Sequence, residues 1–103
     1  MEKTSINSGN KWLLGIGDSV SPVEIGHFTE VIDRPHKHEK THEYYMIIQG
    51  SMRLFVNGIE NVLKKGDVVY IEPGEIHHAE PITKEIEGYL VKWPHLQEDK
   101  IYV

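Results

Sequence analysis

Turn-forming residues divide this chain into pieces too short for a helical core. Nine glycines and five prolines are spread along 103 residues, and no apolar stripe of helical period survives for three turns. Short β-branched and aromatic runs recur instead. In the clearest of them, Met52, Leu54 and Val56 alternate with Arg53 and Phe55, which directs one face inward. Asn57-Gly58 follows, the pair that best tolerates positive φ at both centres of a type I′ hairpin turn, and Ile59 to Leu63 is the return strand.

The same reading predicts strands over Val23 to Ile32, Glu43 to Ile48, Val68 to Ile71, His77 to Glu80 and Glu87 to Trp93. Asp33-Arg34-Pro35, Gln49-Gly50, Lys64-Lys65-Gly66-Asp67 and Glu72-Pro73-Gly74-Glu75 punctuate them. Seven or eight short strands at this spacing describe an all-β antiparallel sandwich or barrel. Trp12-Leu13-Leu14 adds a strand to a neighbouring sheet or covers an open edge. The stretch through Asp18 and the tail after Pro94 carry no clear pattern.

Composition narrows the class. Hydrophobic residues make up 39% of the chain, enough for one lean core, so residues 1–103 are expected to be a single domain. The longest apolar runs are a few residues, too short for a membrane helix. The start, Met1-Glu2-Lys3-Thr4-Ser5, lacks the basic-then-apolar grammar of a secretory signal. Net charge is −5, with scattered lysines and only Arg34 and Arg53 as arginines. Nucleic acid, whose phosphates need clustered cations, is therefore not an expected partner. The absence of cysteine removes disulfides and thiolate chemistry and fits a cytoplasmic location.

Histidine carries the chemistry: seven residues, three of them between positions 36 and 42. His36 and His38 are two apart, so on an extended strand both imidazoles share a face, and neutral imidazoles are good ligands for first-row metals. Glu43, after a polar stretch, is placed to join them from an adjacent strand, and His77, after a tight turn, from the opposite wall. A His pair at this spacing also occurs on surface strands, so the pair alone does not define a metal site.

The segment His36-Lys37-His38-Glu39-Lys40-Thr41-His42-Glu43, followed after six residues by Gly50, resembles the first motif of the cupin family. Gly66 to His77, with Gly74 three residues before the histidine, resembles the second motif in every spacing. Two identities depart from the family pattern: Glu72 stands at the first proline position and Pro81 at the usual asparagine. Fifteen residues between Gly50 and Gly66 look like a compact single-domain cupin, with motifs at 36–50 and 66–81. The resemblance implies a double-stranded β-helix, the cupin jelly-roll barrel. It also implies one divalent transition metal (iron, manganese, nickel, copper or zinc) on His36, His38, Glu43 and His77. His42 is a rival to Glu43; four imidazoles without a carboxylate would favour copper or zinc.

Around this site, His78 is expected to point away from the cavity, and only one of Tyr44 and Tyr45 to reach it. Inward Met52, Leu54 and Val56 predict an interior that is largely apolar apart from the metal, suited to a small organic molecule. Arg34 and Arg53 are expected in solvent, and Trp93 in the core or an interface. Nothing ties Glu75, Glu80 or His95 to the site. Three functions remain open. The resemblance points first to a mononuclear-metal enzyme of dioxygenase, isomerase or decarboxylase type. A non-catalytic binding or sensor module and a metal-independent sugar isomerase or epimerase are the alternatives. Family habit and the lean core both suggest a homodimer.

Overall fold

Among the described residues, ten antiparallel strands make two five-stranded sheets that face one another. The structure, a computed structural model, describes residues 1–6, 11–15, 21–31, 33–94, 96 and 98–103, with only the backbone of Lys11 and Trp12. Strands β1 (Lys11–Leu14), β2 (Glu24–Phe28), β9 (Glu87–Trp93), β4 (His42–Gln49) and β7 (Val68–Ile71) form one sheet in that order. The other runs β10 (Ile101–Tyr102), β3 (His36–Lys37), β8 (His77–Pro81), β5 (Ser51–Val56) and β6 (Ile59–Lys64). The chain is all-β, a jelly roll as expected. Among the described residues, no helix is long and apolar enough to cross a membrane.

The β5–β6 hairpin follows its sequence signal. Val56 pairs with Ile59 across Asn57 and Gly58, whose φ angles are 50° and 81°, the positive pair a type I′ turn demands. Met52 and Leu54 point inward and are essentially buried, while Arg53 faces out and pairs with Glu60 at 2.7 Å. They join Tyr45, Ile47, Leu63, Ile71, Ala79 and Ile86 in a core between the sheets.

Three expectations change. The described residues hold ten strands rather than seven or eight, because β3 and β10 are two-residue strands held by tertiary pairing, too short to show a period. The strand expected over Val23 to Ile32 ends at Phe28; Glu30, Val31 and Asp33 instead line a cavity, and Ile32 lies outside the described residues. Of the two places expected for Trp93, core or interface, the core is excluded, because the residue is half exposed. The Trp12-Leu13-Leu14 stretch does form an edge strand, β1, against β2.

Candidate metal centre

Four elements bring the site together. His36 lies on β3 directly opposite His77 on β8, with ring centroids 4.2 Å apart. His38 follows β3, its carbonyl accepting the Gly74 N–H at 2.6 Å from the turn that leads to His77. Glu43 enters from β4 in the other sheet, where alternation turns Glu43, Tyr45 and Ile47 inward. All four side chains are buried, and one ligand atom from each lies within 4.8 Å of the others.

Their orientation is fixed from behind. The Nδ1 of His36 bonds to the Arg34 carbonyl (2.7 Å), that of His38 to the Asp99 carbonyl (2.7 Å), and that of His77 to the Glu75 carbonyl (3.0 Å). A carbonyl only accepts, so each Nδ1 carries the proton and each Nε2 is left with its lone pair, the arrangement of a metal-binding histidine. His38 Nε2 lies 2.7 Å and His77 Nε2 3.5 Å from the same oxygen, Glu43 Oε2. Yet among the described residues none of these three buried atoms has a partner in hydrogen-bond geometry. Lone pairs gathered out of water repel unless a proton or a cation lies among them. The donor set, three imidazoles and a carboxylate, fits a divalent transition ion with bonds of about 2.1 Å.

Burial would raise the Glu43 carboxyl, but the His38 and His77 imidazoles beside it and the Lys92 charge outweigh that and hold it well below the ordinary value. Burial would lower His77, and the Glu43 carboxylate outweighs that and raises it. Tyr45 moves far upward, first through burial and then through the charges of Glu43 and Asp33, so its phenol stays protonated.

His42, the rival to Glu43, is on the other face of β4. Its Nδ1 meets the Tyr70 hydroxyl at 2.5 Å and its ring stacks on Tyr70. His78 also points away, stacked on Phe55 at 4.7 Å. Of the tyrosine pair, Tyr45 reaches the cavity and Tyr44 is on the outer face against Tyr70. Glu75 accepts the Glu72 N–H within its turn, Glu80 is exposed, and His95 lies outside the described residues.

A cavity of about 230 Å³ adjoins the cluster, with His36 and Glu43 in its wall. Met52, Leu90, Phe28 and Val31 give it an apolar side. The largely apolar interior that was expected also carries charge, because Glu30, Asp33, Lys92 and Lys100 line it too. Lys92 was legible in principle: it shares the inward parity of Gly88 and Leu90 on β9, an unusual place for a lysine. Asp33 and Lys100 come from irregular segments, where parity says nothing. Arg34 is exposed as expected but sits 3.7 Å over the Tyr102 ring.

Two facing sheets around a buried three-histidine, one-glutamate cluster beside a small cavity define a jelly-roll protein with a site able to hold a metal ion. The cupin domain family matches residues 26–91, and the chain belongs to that family. Among solved structures it is similar to Pac13, a nucleoside dehydratase from Streptomyces, with 15% identity, 92% of this chain and 78% of that one covered, and a TM-score of 0.73. KdgF from a Halomonas species matches at 16% identity over 95% of this chain and 90% of that one, with a TM-score of 0.68. A cupin 2 conserved barrel domain protein from Salinispora arenicola is 23% identical over 82% of this chain and 73% of that one, with a TM-score of 0.66. At these identities the likeness is one of fold. No curated protein sequence matches.

Proposed function

We propose that residues 1–103 form a single-domain enzyme that holds one divalent transition metal on His36, His38, Glu43 and His77 and acts on a small, oxygen-bearing organic molecule. The observation that carries this reading is the trio of buried, unpartnered atoms, His38 Nε2, His77 Nε2 and Glu43 Oε2, beside a cavity of molecular size. A bound ion would supply Lewis-acid polarisation of a substrate oxygen.

The chain's own groups supply the rest. The apolar side of the cavity excludes water, and Lys92 and Lys100 offer positive charge to a polar or anionic substituent. Tyr45, kept protonated, is a hydrogen-bond donor to a developing oxyanion. Proton-moving groups in the wall favour isomerisation, decarboxylation or elimination. Pac13 is a dehydratase and was solved with uridine, which supports a polar organic substrate of modest size. A cytoplasmic homodimer is the form in which we place it.

Elemental analysis of protein purified without chelator or His-tag tests the reading. About one transition metal per chain supports it. Absence of metal, with no uptake of any of the five candidate ions, overturns it in favour of metal-free binding or isomerisation.

A further inference from the structure

The C-terminal segment touches the site more closely than its sequence suggests. The Asp99 carboxylate accepts three successive main-chain N–H groups of the loop between the ligands: Oδ1 takes Glu39 at 3.0 Å, and Oδ2 takes Lys40 at 2.9 Å and Thr41 at 2.8 Å. That loop joins His38 to Glu43. The main-chain carbonyl of the same residue accepts the His38 Nδ1–H at 2.7 Å. One residue thus binds the ligand loop through its side chain and orients a ligand imidazole through its backbone.

Beyond Asp99 the segment continues around the site. Lys100 lines the cavity, Tyr102 pairs with His36 in register, and the Val103 N–H reaches the Pro35 carbonyl at 3.2 Å. Little apolar burial holds it there: Ile101, Tyr102 and Val103 are all exposed. The Asp99 carboxylate is the polar anchor that, together with the short β10–β3 pairing, keeps its carbonyl on His38.

We infer that Asp99 is a positioning residue for the metal site, anchoring the 98–103 segment as a clasp that presets the His38 tautomer and thereby sets metal affinity. The inference rests on the metal reading of the cluster. An outer partner that orients a ligating histidine is commonly worth tenfold to a hundredfold in metal affinity. With the Asp99 side chain gone, three loop N–H groups lose their acceptor and the carbonyl is no longer held on Nδ1.

The experiment is titration of the full-length apoprotein with zinc and cobalt, comparing wild type with Asp99→Ala, Asp99→Asn and Ile101→Ala. The cobalt absorption spectrum and the Nδ1–H resonance of His38 are additional readouts. We expect Asp99→Ala to weaken binding at least tenfold, change the cobalt spectrum and lose the His38 resonance. Asp99→Asn, which keeps one acceptor oxygen, should recover part of the affinity. Ile101→Ala, an exposed position on the same strand opposite Lys37, leaves the anchor in place and should bind within about threefold of wild type, far inside the tenfold expected of a lost outer partner. If wild type takes no metal, the metal reading itself falls. If wild type binds and Asp99→Ala binds equally well with the same spectrum, the clasp is overturned. It is also overturned if Asp99→Ala and Ile101→Ala weaken binding alike, in proportion to lost apoprotein stability.

Discussion

His36 and His77 are cross-strand partners: β3 and β8 are paired at this one position, and the two imidazoles face each other at 4.2 Å. The two sequence motifs therefore meet at a point of backbone pairing. A hydrogen-bonded carbonyl behind each ring, Arg34 for one and Glu75 for the other, keeps both Nε2 atoms available.

Removing either ring should remove the ion without unfolding the sheets. His36→Ala and His77→Ala are expected to lose most bound metal while the β-type circular dichroism spectrum persists. Glu43→Ala should behave like them. His42→Ala, on the opposite face against Tyr70, should keep full occupancy. Metal per chain measured on the four variants decides it.

Acidity should separate the apo and loaded proteins. Glu43, lowered in the fold, stabilises the apoprotein above its unfolded value of about 4.3, an effect lost as pH falls through its folded value. His77, raised in the fold, stabilises it below about 6.5, an effect lost as pH rises through its folded value. The pair thus favours the apoprotein most between about pH 4.3 and 6.5. Metal binding needs unprotonated imidazoles. The difference in Tm between metal-loaded and chelator-treated protein should therefore widen as pH rises from about 6 to 8, and calorimetry across that range checks it.

Gly50, the end of the first motif, is a structural position. Its φ is +79° and a Cβ there would lie 2.1 Å from the Glu85 carbonyl oxygen. Gly50→Ala should cost roughly 2–4 kcal/mol, combining left-handed strain with a main-chain clash. Gly58 has a similar φ of +81° but open space around it, so Gly58→Ala should cost only about 1 kcal/mol. Urea unfolding of both separates strain from contact.

Arg53 should prove dispensable. Its pair with Glu60 is half exposed on the outer face of β5, and exposed ion pairs contribute about 0–1 kcal/mol. Arg53→Ala should leave metal content unchanged and shift unfolding by less than about 1 kcal/mol. A loss of metal or of ligand binding would place the arginine in the site after all.

Several features were legible from local pattern. The Met52–Leu54 alternation, the Asn57-Gly58 turn and the parity that Glu43 shares with Tyr45 all express the two-residue period of a strand, which the sequence displays directly. The spacing of His36, His38, Glu43 and His77 resembled a known motif because strand and turn lengths fix which positions face one cavity. Lys92 could have been read from the parity of β9.

The rest belonged to contacts between distant segments. Nothing local marks β3 or β10 as strands, since a two-residue pairing has no period to detect. The choice of Glu43 over His42 for the buried cluster depended on which face of β4 the opposite sheet covers. Asp99 meets His38 only because the tail folds back across the loop between the ligands. The sequence alone determined an all-β chain with a histidine-rich motif pair. Tertiary packing decided which lone pairs converge and what orients them, because desolvation and hydrogen bonding act on groups brought together in space.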